Sequence, residues 1–327
     1  MTDVVIGIDI GGTITKFGLV TRSGKIVAVD SMPTTGFNGF NEYFKALAQK
    51  LSQTCEATTN HVMGIGIGAP MGNFLEGSID MATNLGWGKK ILVTRRFSEF
   101  FNKPAYLIND ATAAAIGERT SGVAKNMDDF LVITLGTGLG CGIYVNGTVL
   151  HGKHGYAGEL GHVTVTPNGR MCNCGRQGCL ETYVSASGIM KSVEEFKNQK
   201  GFEDSVLHDR AAYPNSKAVA RAAASGDALA KYVFEFTGEV LAGALANIIA
   251  MFNPEAIIFS GGLANAGNLL ISPVERFLNK KVLGNLKGKT KIYVSKLDSE
   301  KIAVLGAASY AWQMMDNHSH SKSLMVG

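Results

Sequence analysis

The feature that most constrains this chain is a unit that occurs twice. Val4 to Asp9 is a β-branched run ending at Gly11-Gly12, Phe17 to Val20 is a second apolar run, and a third, Lys25 to Val29, follows the turn Thr21-Arg22-Ser23-Gly24. The pattern restarts at Phe130 to Thr134, with Gly136-Thr137-Gly138 as the glycine turn. Cys141 to Val145 follows, then Asn146-Gly147 as a hairpin turn and Thr148 to Leu150. Two copies of strand, glycine turn, strand, turn, strand, about 125 residues apart, predict a duplicated α/β architecture with two similar lobes. The length of 327 residues agrees, since ~100–200 residues per domain gives two domains with a core each.

The remaining pattern fills in around the copies. Asn41 to Cys55 has apolar residues at helical spacing, His61 to Gly68 is a glycine-laced strand, and Ala105 to Ile108 is another strand. Ala111 to Arg119 reads as a helix opening just after Asn109-Asp110. Further helices are expected at Ser185–Lys197, Lys217–Ser225, Asp227–Met251 and Ala303–Met315, and a strand at Ala256 to Phe259. The polar tail beyond Asn317 is expected to fray. This gives a small N-terminal α/β lobe over 1–116, completed by the C-terminal helix 303–316, and a larger C-terminal lobe over 117–302.

A hydrophobic content of 46% excludes a disordered chain, and 31 basic against 27 acidic residues, without a cluster, give no support to a nucleic-acid or membrane-surface partner. The longest apolar run, Val240 to Phe252, is broken by Asn247 and falls short of the ~18 residues of a spanning helix. The opening MTDVVIGIDI lacks the basic start of a secretory signal, so the expected location is cytoplasmic.

Three glycine turns at strand ends are candidate phosphate cradles. In the first, Asp9, Gly11, Gly12, Thr13 and Lys16 combine converging backbone N–H groups with a hydroxyl and a cation. Gly136, Thr137 and Gly138 form the second, and Gly261-Gly262 before Leu263 the third, shaped for a flat ring or a phosphate. Any one alone is more often only a turn; three at strand ends, two of them related by duplication, argue for a nucleotide. Rival motifs fail: Gly284 to Thr290 has three residues between its glycines where a Walker A loop needs four.

Five cysteines are an odd number for a disulfide framework, and three crowd into Cys172–Cys179. His162, Cys172, Cys174 and Cys179 give H-x9-C-x-C-x4-C, a set suited to tetrahedral Zn²⁺ with no open position, hence structural. Cys55 and Cys141 read as packing residues.

The motifs DIGGTITK (9–16), NLGW (84–87), NDATAAA (109–115), LGTGLG (135–140), AGELGH (157–162), CNCGRQGCLE (172–181) and NPEAIIFSGG (253–262) resemble those of the ROK sugar kinases, in the expected order over nearly the whole chain. That family lies within the actin, Hsp70 and hexokinase superfamily, so the resemblance implies two lobes of actin-like (ribonuclease H-like) ATPase fold carrying a structural zinc knuckle. It also implies an ATP- and Mg²⁺-dependent hexose kinase whose lobes close on the sugar, and a homodimer is the expected assembly. By itself Asp110 reads as a helix N-cap; by the resemblance it is the catalytic base that takes the proton of the sugar 6-hydroxyl. Asn84, Asn109, Glu159, His162 and Glu181 would then bind the sugar beside it, with His162 serving zinc and sugar through its two ring nitrogens.

Glucose is the favoured substrate, with N-acetylmannosamine or N-acetylglucosamine as same-class alternatives and polyphosphate as an alternative donor. A sugar-responsive transcriptional regulator of the same family would carry an N-terminal helix-turn-helix, for which a first strand at Val4 leaves no room. A non-catalytic Hsp70-like ATPase module would leave the sugar and zinc motifs idle.

Overall fold

The structure is a computed structural model that describes residues 2–80, 85–298 and 301–324, with side chains to residue 317 in the last segment. The chain forms two compact units: the first comprises Met1–Met127, Val149–Gly158 and Lys296–Gly327, the second Asp128–Thr148 and Glu159–Ser295.

In the first unit the elements run β1 (Asp3–Ile10), β2 (Ile14–Thr21), β3 (Ile26–Pro33), α1 (Phe40–Glu56), β4 (His61–Ala69), β5 (Gly72–Asn73), β6 (Ser78–Asp80), β7 (Lys90–Leu92), α2 (Val93–Phe101), β8 (Ala105–Asn109) and α3 (Asp110–Ser121). The main sheet has the order β3-β2-β1-β4-β8, antiparallel across the β1–β2–β3 meander and parallel from β1 through β4 to β8. The period-2 rule of a strand sorts β1 into two faces. Val4, Ile6, Ile8 and Ile10 enter a core with Tyr43, Phe44 and Leu47 of α1 and Phe97 of α2. Each fully buried side chain of this kind contributes about 1.5–3 kcal/mol.

The other face is built for close helix approach. Along β4, Ile65 and Ile67 point into the α1 core. The alternating residues Gly64, Gly66 and Gly68 leave a flat ridge on the opposite side, as Gly7 does on β1. A Cβ on Gly66 would lie 1.8 Å from the carbonyl oxygen of Ala307, and one on Gly7 2.2 Å from that of Val304. Both carbonyls belong to the C-terminal helix, so that helix comes this close to the sheet backbone only where side chains are missing.

The second unit repeats the strand plan. It contains β9 (Phe130–Leu135), β10 (Leu139–Val145), β11 (Thr148–Val149), α4 (Ala186–Phe196), α5 (Ser216–Ala224), α6 (Ala228–Phe252), β12 (Ala256–Ser260), α7 (Asn268–Lys281) and β13 (Lys291–Val294), with sheet order β11-β10-β9-β12-β13. As in the first sheet, a meander is followed by two parallel strands. The last helix, α8 (Ile302–Leu324), returns to the first unit and packs on β1, β4 and α3.

Several elements differ from the sequence expectation. The helices α2 and α7, the strand β13 and the small sheet β5-β6-β7 are absent from it, although α2 buries Val93 and Phe97 and α7 buries Leu270, Val274 and Leu278 at helical spacing. α8 continues past Asn317 to Leu324, a stretch without proline or glycine to stop it. α6 begins at Ala228, ahead of the apolar run, and is long and apolar enough to cross a membrane on length and composition. Here it is the spine of the second unit, packed on α4, α5 and α7. Cys141 is buried as expected, whereas Cys55 is only half-buried.

Candidate active site

In the first unit, strand register brings the chemistry to one edge. Asp9 at the end of β1 pairs with Gly68 of β4, and Gly68 pairs with Ile108 of β8, so β1 and β8 end at the same level on either side of β4. The chain then turns from Asn109 directly into α3. A Cβ on Gly68 would lie 3.2 Å from the Ala113 methyl and 3.7 Å from the Cα of Asp110. The missing side chain therefore lets the start of α3 sit close to β4.

Capping at this turn is divided between two residues. Asn109 is the N-cap: its Oδ1 accepts the backbone N–H groups of Ala111 and Thr112 at 2.9 and 3.1 Å. Asp110 stands one position later, and its Oδ1 accepts the N–H of Ala111 at 2.8 Å. The capping role that Asp110 alone would suggest thus falls mainly to Asn109, which keeps its amide Nδ2 as a donor. Asn84, the remaining sugar-binding candidate of this unit, lies outside the described residues.

Two carboxyl groups and one cation share the edge. Burial, then the charge of Asp110, push Asp9 up to about 7, while Lys16, its register partner on β2, draws it down. Burial likewise raises Asp110, against the pull of backbone N–H groups. Gly11, Gly12 and Thr13 form the β1–β2 turn, closed by the Gly11 N–H donating to the Ile14 carbonyl at 3.2 Å. It is braced by the Thr34 N–H donating to the Thr13 carbonyl at 2.8 Å, with Thr15, Thr34 and the Tyr43 hydroxyl linked beneath it at 2.7–2.8 Å.

The second unit holds the other two turns. The Gly136 N–H donates to the Gly138 carbonyl at 3.0 Å. Gly261, at φ +91°, packs on the end of β9, where a Cβ would meet the Leu135 carbonyl oxygen at 2.6 Å; the Leu263 N–H donates to the same oxygen at 3.0 Å. A feature the sequence reading did not anticipate lies beside the first of these: the N-terminus of α4 abuts it, the Ala186 N–H donating to the Gly136 carbonyl at 2.9 Å. The signal for it was Ser185, which caps α4 by accepting the Gly188 N–H at 3.0 Å.

His162, Cys172, Cys174 and Cys179 converge, with one ligand atom from each lying within 4.8 Å of all the others. The Cys172 sulfur is 3.7 Å from His162 Nδ1, and the sulfurs of Cys174 and Cys179 are 3.7 Å apart. Thiolates bound tetrahedrally at about 2.3 Å from zinc would be about 3.8 Å apart, so the donor set and its spacing fit that ion. Gly178, at φ +73°, closes the loop where a Cβ would meet the Thr166 carbonyl oxygen at 1.7 Å.

Around this cluster lie two carboxylates. Glu159 Oε2 is 3.9 Å from His162 Nε2, the ring nitrogen away from Cys172. Glu181 Oε2 accepts the Leu139 N–H at 2.9 Å, and its Oε1 is 4.0 Å from the Cys172 sulfur. Gly138 makes room for it, since a Cβ there would fall 2.2 Å from Oε2. One carboxylate thus joins the cysteine loop to the Gly136–Gly138 turn.

Twin sheets with this strand order, each with glycine turns at its strand ends, define an actin-like α/β protein. The chain belongs to the ROK family, whose model matches residues 5–314. The glucokinase of Halalkalibacterium halodurans is 35% identical over 304 residues, covering 90% of this chain and 91% of that protein. The xylose repressor of Caldicellulosiruptor bescii is 29% identical over 264 residues, 80% of this chain and 65% of that protein. A crystal structure of a ROK family glucokinase from Streptomyces griseus in complex with glucose and AMPPNP matches with a TM-score of 0.81 at 28% identity, covering 95% of this chain and 99% of that one.

Proposed function

We propose that this chain is an ATP-dependent hexokinase of glucokinase type, transferring the γ-phosphoryl group to the 6-hydroxyl of glucose. The observation that carries the proposal is Asp110, a half-buried carboxylate at the start of α3 whose capping duty is met largely by Asn109. Its proton affinity, raised by burial, suits it to accept the 6-hydroxyl proton as that oxygen attacks phosphorus. Asn109 Nδ2, Glu159, His162 Nε2, Glu181 and Asn84 are the proposed sugar ligands.

Phosphoryl transfer otherwise depends on alignment and charge neutralisation, for which the three glycine turns supply backbone donors and Lys16 a positive charge. Asp9 is the carboxylate that would face a nucleotide-bound magnesium ion, which would supply neutralisation of phosphate charge. Zinc at His162, Cys172, Cys174 and Cys179 would be structural, fixing the imidazole so that Nε2 is presented to the sugar. A cytoplasmic homodimer completes the proposal.

A coupled ADP-release assay across glucose, mannose, fructose, N-acetylglucosamine and N-acetylmannosamine tests it, with glucose expected first. Asp110→Asn should lower turnover by at least ~10²-fold while changing sugar affinity less. Full turnover in that variant removes the base assignment. The likeness to a xylose repressor sustains one other reading, a sugar-responsive regulator. Specific DNA binding without phosphoryl transfer would favour it.

A further inference from the structure

Arg170 takes no part in the chemistry proposed above, yet its side chain is only 12% exposed and its guanidinium is fully engaged. Nη1 donates to the Thr182 and Gly188 carbonyls at 2.8 and 3.3 Å, and Nη2 to Ser192 Oγ and Glu195 at 2.9 and 2.6 Å. Nε donates to Glu195 at 2.9 Å, and the guanidinium carbon stands 4.4 Å above the Tyr183 ring, whose hydroxyl accepts the Arg170 backbone N–H at 3.0 Å.

These partners belong to three pieces of the candidate site. Arg170 itself opens the cysteine loop. Thr182 adjoins Glu181, whose carboxylate holds the Leu139 N–H. Gly188 and Ser192 lie on α4, whose first residues grip the second glycine turn through the Ala186 N–H on the Gly136 carbonyl at 2.9 Å and Ser187 Oγ on the Thr137 carbonyl at 3.0 Å.

We infer that Arg170 is a positioning residue that holds Glu181 and the Gly136–Gly138 turn in register, independently of the metal. The inference rests on the sugar-kinase reading, because it assigns Glu181 to the sugar and the turn to phosphate. A lysine cannot replace it: a single ammonium can pair with Glu195 but has no planar fork to span carbonyls on two elements.

The test compares wild type with Arg170→Met, Arg170→Lys and Glu195→Gln, measuring kcat, KM for glucose and ATP, zinc content and amide exchange over residues 180–188. Arg170→Met should raise both KM values about tenfold with kcat within about threefold, and zinc content should stay at the wild-type level. Arg170→Lys should recover less than half of that loss on a logarithmic scale. A lower melting temperature with unchanged KM overturns the inference, as does a KM rise that tracks zinc loss. Should Arg170→Met fail to fold, Glu195→Gln removes only the charge of the exposed partner and should raise KM about two- to threefold; unchanged KM there counts against the inference. If wild type transfers no phosphoryl group, the kinase reading fails, and exchange still decides the positioning claim. Faster exchange over 180–188 in Arg170→Met supports it, and wild-type protection overturns it.

Discussion

At the scale of single residues, Asp9 shows how charge is stored at the strand edge. Its carboxyl is held up to about 7 by burial and by Asp110, with Lys16 opposing, against an ordinary value of 3.8. Between those two pH values the folded chain binds a proton that the unfolded chain has released, so stability falls as pH rises through the window. Asp9→Asn should therefore leave stability unchanged below about pH 4 and raise it by about 1–3 kcal/mol above pH 7, allowing for partial solvent exposure, while phosphoryl transfer drops. Denaturant titrations at the two pH values check this, and equal effects at both would refute the buried-carboxyl account. Asp110, also raised by burial, contributes a fall of stability with rising pH in the same direction. The sequence alone marks Asp9 and Asp110 as candidates but not their proximity, because that comes from the register of three strands. Likewise, Asn-Asp before a helix leaves open which residue caps it, and only backbone geometry divides the work.

At the scale of elements, the alternation Gly64-Ile65-Gly66-Ile67-Gly68 is the most informative strand in the chain. Isoleucines on one face and bare backbone on the other are legible as a strand, yet nothing local says that α8, more than 230 residues away, is what covers the bare side. α8 answers in kind, since a Cβ on Gly306 would lie 1.6 Å from the Ala113 carbonyl oxygen of α3. Gly66→Ala should destabilise the first unit by about 1–3 kcal/mol, seen as a lower denaturation midpoint, because its methyl group must displace backbone. An unchanged midpoint would mean the helix can retreat at no cost. Elements that escaped the sequence reading lack clean boundaries more than they lack a period, since α2 and α7 both bury residues at helical spacing. α2 has no side-chain cap, α7 contains Pro273, and β5 and β6 span two and three residues, too short for a period to emerge.

At the scale of the whole molecule, the two units repeat a strand plan but differ in what stabilises their irregular segments. The first has cores on both faces of its sheet, one with α1 and α2 and one with α8. The second contains a long stretch from Glu159 to Gly178 with little regular structure, held by turns, isolated bridges and the His162–Cys179 cluster. That cluster is legible from spacing alone because its ligands are close in sequence; the carboxylate of Glu181 that ties it to the β9–β10 turn is not. If the cluster carries zinc, removing the ion leaves three thiols, with burial pushing that of Cys179 up to about 12, and no core to replace the bonds. Chelation should then release one zinc per chain and lower stability by on the order of several kcal/mol. Amide exchange should rise over 159–179 and stay at its original rate in β1 and β4. Protection lost equally in both units would show that the ion supports the entire fold, and a chain that holds no zinc yet keeps 159–179 protected would show that hydrogen bonds alone suffice.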